Sequence, residues 1–365
     1  MKKFNILSIA LVAIFVLGAC SNTETNSNPE QNNEQIKVEE PVTSEVPAEQ
    51  PSNLSPYYFT ANHNGISKID ANSNNLIETI QVKGSVHNVQ LSPDGKTLAA
   101  TLIPESEHGH KDDGHGHNDE SKGFALFYNA ETNELIKKVE VGLHPAHIVF
   151  TANNKYALVT NSEDNNVSVI ELGTYQIAEN IPTGNGPHGF RISADSKFAY
   201  IANMLEDTVS VIDLDILKET KRIKVGDTPV TTAVTSDGRT LLTTLNSKNS
   251  LAIVDLTNDS VEEIKVGDGP AQVYIQSDDK FAFVANQGTH DKPSNTITKI
   301  DLQTKQVIAT IEVGNGAHGV VTSADNRFVY VTNMFDNTVS VIDNKENKVI
   351  TTFNVGNEPN GITLN

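Results

Sequence analysis

The chain has 365 residues, 37% hydrophobic and 20% charged, with a formal net charge of −19. An acid excess of that size argues against nucleic acid as a partner, because polyanions are bound through clustered lysine and arginine. A single cysteine excludes an intrachain disulfide, and the length is ample for one large core.

The N-terminus reads Lys2-Lys3, an apolar run from Phe4 to Val16, then Leu17-Gly18-Ala19-Cys20. This order resembles a bacterial lipoprotein signal ending in its lipobox. The resemblance implies that residues 1–19 are removed and that Cys20 is lipidated. The chain is then held by its lipid alone at the extracytoplasmic face of the cell membrane. A buried structural thiol is the competing reading of Cys20. Removing Lys2 and Lys3 takes the formal charge to −21. Residues 20–53, rich in Asn, Glu, Pro, Gln and Ser, cannot bury enough apolar surface to fold and read as a tether.

From residue 54 to residue 365 a repeat with a period near forty takes over. Its second strand begins at Tyr57, Thr97, Tyr156, Phe198, Thr240, Phe281 and Phe328. The third strand recurs as Val167–Glu171, Val209–Asp213, Leu251–Asp255 and Ile297–Asp301, rich in β-branched residues and bounded by Asn, Asp or Gly. Each innermost strand is entered through a Gly/Pro segment. It is left through a tight turn such as Ser92-Pro-Asp-Gly-Lys96, Ser193-Ala-Asp-Ser-Lys197 or Ser323-Ala-Asp-Asn-Arg327. Four short strands per unit predict an all-β, seven-bladed β-propeller of antiparallel blades. The chain starts on a second strand and ends on Asn360–Leu364, so the C-terminus is expected to supply the innermost strand of the first blade.

Tyr330-Val-Thr-Asn333, with looser copies Tyr200-Ile-Ala-Asn203 and Phe283-Val-Ala-Asn286, resembles the signature of the YVTN family of seven-bladed propellers. The likeness runs from about Pro56 to Asn365. It implies the fold and little about function, since such propellers host many activities. Leu102 and Leu245 stand where the signature has its final Asn.

The eleven histidines fall into two places that alternating strand direction puts on one face. Aligning the innermost-strand starts gives Asn360, His87, His147, His188, Val230, Ala271 and His318, so four imidazoles are expected at one mouth of the central channel. The other place is the loop between second and third strands. It holds His63, His290 and a long insertion, residues 105–122, with His108, His110, His115 and His117 among glycines and carboxylates. His144 lies beside His147. Neutral imidazole with carboxylate suits zinc, and Met204 and Met334 leave copper open.

Export, a histidine mouth and a His/Asp-rich loop together resemble the propeller-type zinc metallochaperones. That resemblance implies a metal ion as cargo and the solute-binding protein of a zinc ABC transporter as partner. Two other classes remain open at this point: a lactonase-like or lyase-like propeller enzyme, and a surface scaffold.

Overall fold

The computed structural model describes residues 57–105 and 122–364. The signal at 1–19, Cys20 and the tether to residue 53 lie outside the described residues. Among the described residues every regular element is a β-strand except a single 3-10 turn at Asn246–Lys248, and no helix is long and apolar enough to cross a membrane.

The strands begin where hydrophobic alternation and turn chemistry place them. Second strands start at Tyr57, Thr97, Tyr156, Phe198, Thr240, Phe281 and Phe328. The tight turns close through side chains. Ser193 Oγ donates to Asp195 Oδ1 at 2.6 Å, while that carboxylate takes the Lys197 N–H at 3.1 Å and Ser193 Oγ takes the Phe198 N–H at 3.0 Å. The signature Asn has an equally concrete task. Asn333 Nδ2 donates to Ser340 Oγ at 2.9 Å, tying second strand to third, and its Oδ1 accepts the Gly314 N–H at 3.1 Å. The approach is so close that a Cβ at Gly314 would lie 2.7 Å from Asn333 Cγ, which is why a glycine stands at this point. Where Leu102 and Leu245 replace the Asn, the glycine instead takes a positive φ, +126° at Gly84 and +120° at Gly226.

Five of the sheets are four-stranded and antiparallel, and a sixth has six strands. The structure therefore carries six blades, counted as hydrogen-bonded sheets, where the sequence register predicts seven. The difference lies in the first two repeats. Tyr57–Asp70 and Leu76–Leu91 each run on through what the sequence suggests is a break, so that these two repeats share one sheet.

The C-terminal segment does close the molecule. Gly361–Thr363 pairs antiparallel with Phe59–Ala61. Innermost segments of neighbouring repeats contact one another all the way round, from Gly361–Thr363 through the end of Leu76–Leu91, Pro145–Phe150, Pro187–Ile192, Pro229–Val234, Pro270–Ile275 and Ala317–Thr322, and back. The core is a set of apolar layers between neighbouring sheets, as where Ala99 and Phe127 meet Ile148 and Ala157. Two buried lysines staple repeats together: Lys68 Nζ donates to Glu131 O and Lys299 Nζ to Asn344 O, both at 2.6 Å.

Because Gly361–Thr363 covers the inner edge of Phe59–Ala61, deleting residues from Val355 onward removes buried Ile362 and exposes the backbone of Phe59–Ala61 together. The truncated protein is expected to melt at least about 10 °C below the full chain, several kcal/mol at the usual few degrees per kcal/mol for a domain of this size. Thermal unfolding followed by circular dichroism measures it, and melting within a degree or two would show that the segment is dispensable.

Candidate metal centre

Three histidines converge. His87, His147 and His188 each offer a ring nitrogen such that the three atoms lie within 4.8 Å of one another. Their ring centroids are 5.7 Å apart for His87 and His147, 5.1 Å for His87 and His188, and 5.1 Å for His147 and His188.

Strand register explains how they meet and corrects the sequence alignment in one place. Second-strand partners align Val86, Pro145 and Pro187, which pair with Leu102, Asn161 and Asn203 respectively. The next residues, His87, Ala146 and His188, are therefore the true column, continued by Val230, Ala271, His318 and Asn360. His147 sits one residue further on. In a regular strand that step would turn its side chain to the other face. Here the pairing is broken between Pro145 and Ile148, as it is between Val86 and Val89 and between Pro187 and Phe190. A bulge of this kind re-aims side chains, and His147 joins the cluster from a position off the column.

The column histidines are oriented by backbone. His87 Nδ1 is 3.1 Å from Ala146 O, His188 Nδ1 is 3.2 Å from Val230 O, and His318 Nδ1 is 2.7 Å from Asn360 O. In each case the carbonyl belongs to the column residue of the next repeat. A carbonyl only accepts, so Nδ1 carries the proton and Nε2 keeps its lone pair, the tautomer that ligates a metal through Nε2.

His147 differs. It is 1% exposed, and both its ring nitrogens are buried without a hydrogen-bond partner. A neutral imidazole left that way forgoes a donor and an acceptor interaction, costing about 1–3 kcal/mol per group.

Electrostatics keep the cluster neutral. Burial holds His87 well below the ordinary imidazole range, and His188, His144 and His318 add to the effect. His147 is likewise held well below that range by burial, then by His188, His87 and Arg191. His188 is pushed down to about 4, by burial and then by His318. His318 is lowered by burial, against the Asn360 carbonyl that favours its charge. Each ring is thus a free base at neutral pH, the state a cation requires.

The remaining predicted residues fall elsewhere. His318 stands outside the converging three, although near enough to oppose their protonation, so the expected set of four contracts to three. His63 is exposed within Tyr57–Asp70. His290 is exposed and lies against the Phe335 ring at 5.0 Å. Neither belongs to the cluster. His108, His110, His115 and His117 lie outside the described residues. Glu163, which the sequence reading passed over, places a carboxylate oxygen 3.7 Å from His144 Nδ1. The pairing within its own repeat reveals it, where the Ser162 N–H donates to His144 O at 3.1 Å and brings the second-to-third loop against the start of the innermost strand. Of the two methionines, Met334 is engaged, its sulfur receiving the Gln287 side-chain amide at 3.2 Å.

The family model described as Choice-of-anchor I domain matches residues 48–268, more than half of the chain, and the one described as YNCE-like beta-propeller matches residues 289–365. Solved structures sharing the fold are numerous, with 1596 matching chains, so the fold by itself selects no function. One of them is Kuenenia stuttgartiensis hydrazine synthase, 20% identical at a TM-score of 0.65, over 79% of this chain and 92% of that one. Another is a functionally unknown protein from Desulfotomaculum acetoxidans, 13% identical at a TM-score of 0.70, over 85% of this chain and 99% of that one. At these identities the likeness is one of fold. No curated protein matches the chain.

Two outcomes follow for protein freed of metal. An imidazole whose folded-state pKa is depressed binds fewer protons folded than unfolded, so its stability contribution is full above about pH 6.5 and is lost as pH falls towards about 4. Melting temperature is expected to drop on the order of 5 °C between pH 7 and pH 5, and to drop less in the triple variant His87→Gln, His147→Leu, His188→Gln. A parallel decline in both proteins would place the acid sensitivity outside the cluster. The second outcome concerns His147→Leu alone, which removes two unpaired buried nitrogens at similar volume and is expected to melt at or above the wild type. A fall of more than about 5 °C would mean that the imidazole is there for packing.

Proposed function

The chain belongs to the Choice-of-anchor I domain family, and within it we propose that this protein is an extracytoplasmic zinc carrier or metallochaperone rather than an enzyme. The observation that carries the reading is His147, a fully buried imidazole with two orphaned nitrogens, set among two further imidazoles whose Nδ1 protons are already committed to carbonyls. A cation bound there relieves the orphan and uses lone pairs that nothing else claims.

Zinc fits the donor set best. Three imidazoles and an open fourth position are a known zinc arrangement, with Zn–N near ~2.0–2.1 Å. A tetrahedron of that size brings the nitrogens to about 3.3 Å from one another, so the rings close in modestly on binding. Copper(I) would favour sulfur, and the Met334 thioether already receives a hydrogen bond from Gln287. The open position is where an acceptor protein's ligand can enter, which suits handover to the solute-binding protein of a zinc ABC transporter. In this reading residues 105–122, with His108, His110, His115 and His117, capture ions for the preorganised cluster. Exposed His63 and His290 are accessory donors at most. Cys20 holds the protein at the outer face of the membrane through its lipid.

Protein purified without a histidine tag or nickel column is expected to retain one tightly held zinc per chain, measured by elemental analysis and chelator competition. His147→Ala and His188→Ala are each expected to weaken it by about a hundredfold or more, with the fold intact by circular dichroism. Deleting residues 106–121 is expected to lower the total zinc capacity and slow transfer while keeping the tight site. Absence of zinc, or unchanged affinity in both alanine variants, would overturn the reading.

A further inference from the structure

Three residues beyond His188 on the same strand stands Arg191, about 10 Å along at the usual strand rise. It faces a cavity of about 270 Å³ to whose wall all seven innermost segments contribute. Burial of the guanidinium disfavours its charge, and the phenol of Tyr274 is the neighbouring group that offsets this. Among the described residues no carboxylate reaches it within ion-pair distance. Its recorded side-chain hydrogen bond is from Nη1 to Phe190 O at 2.9 Å, on its own neighbour. A guanidinium has five N–H groups and stays protonated, so most of its donors face the cavity unused. A half-buried cation with no counter-ion favours an anion beside it.

The rest of the wall sets what that anion is. Tyr274 is kept protonated by burial, so its hydroxyl remains a neutral donor. Thr363 Oγ1 accepts from Leu91 N at 3.0 Å, which leaves its own proton free to donate. Gln90 adds an amide, one N–H of which points to Thr363 Oγ1 at 3.5 Å. These groups surround one positive charge; the remaining lining side chains are aliphatic, Val149, Ile275, Val321 and Ile362 among them, while most of the surface that the cavity exposes is polar. The volume lies just under the ~300–1,000 Å³ of ordinary small-molecule sites. We propose that the central channel binds a small organic monocarboxylate, with its carboxylate on Arg191 and its short apolar body against the aliphatic wall.

A bidentate guanidinium–carboxylate pair supplies the charge match, and the aliphatic side chains of the lining offer contact to an organic body that an inorganic ion lacks. The site is separate from the histidine cluster and does not depend on the zinc reading.

The test is calorimetric titration of the full, metal-free chain at pH 7.4 with sodium propionate, sodium benzoate and sodium phosphate. At least one of the two carboxylates is expected to bind one to one at least tenfold more tightly than phosphate. Binding is expected to survive in His188→Ala and to be lost, by more than tenfold, in Arg191→Gln. Thermal unfolding supplies a second reading. Metal-free and ligand-free Arg191→Met is expected to melt at or above the wild type, because an unpaired cation has been removed, whereas an arginine kept for structure would make it melt lower. The proposal is overturned if neither carboxylate binds in the millimolar range or better, if phosphate binds as well as either, or if Arg191→Gln binds like the wild type.

Discussion

Closure of the ring of innermost segments is the constraint on which the rest of the structure depends. Once Gly361–Thr363 pairs with Phe59–Ala61, every repeat has a neighbour on both sides, and each column position meets the column position of the next repeat. The column carbonyl then has two callers for its two lone pairs. Ala146 O accepts from Thr101 Oγ1 at 2.9 Å and from His87 Nδ1 at 3.1 Å. A threonine of the preceding second strand also reaches the carbonyl of His188, from Thr160 Oγ1 at 2.8 Å. The backbone that closes the ring is thus the same backbone that fixes the tautomer of the histidines, and ligand orientation comes with the architecture.

Much of this was legible in the chain because it is written as period and turn chemistry. Ser-Ala-Asp turns, Val-Gly before the innermost strand and Asn at the end of the second strand are local signals with local mechanisms, and the structure shows each in hydrogen bonds. His188 and His318 could be aligned because the Gly-Pro-His or Gly-Ala-His context repeats, and His87 because Gly84-Ser-Val-His87 opens its strand in the same place. His147 could not be placed correctly. Leu143-His-Pro-Ala-His147 carries its second histidine one residue late, and only the bulge between Pro145 and Ile148 brings it back to its fellows. The union of the first two repeats in one sheet was equally hidden, since a strand that bends through Asn62–Gly65 reads in sequence as a strand, a loop and another strand. Arg191 gave no signal of its own. A single arginine in an alternating strand looks like a solvated side chain until seven strands are drawn round it.

Two departures from local consistency lie in the channel. His147 leaves both ring nitrogens unsatisfied and Arg191 lacks a counter-ion, whereas the other unpartnered buried side chains among the described residues, Asn154, Asn203, Thr243, Asn286 and Asn344, each leave a single oxygen. Departures of this kind are expected where function rather than folding sets the residue. A core layered between every pair of neighbouring sheets can tolerate them, because each costs a few kcal/mol at one point of a large cooperative unit.

Their proximity couples them. Arg191 already opposes protonation of His147, and it acts on any cation at the cluster in the same sense. For a divalent ion about 10 Å from a guanidinium, at an effective dielectric constant near 20, the repulsion is about 3 kcal/mol. An anion seated on Arg191 would cancel most of that. In the proposed scheme the carboxylate and the zinc therefore favour one another, and reciprocity of linkage makes the effect equal in both directions. An anion leaving the channel would loosen the metal at the mouth, giving a carrier that must both bind tightly and let go a way to do so without unfolding its site.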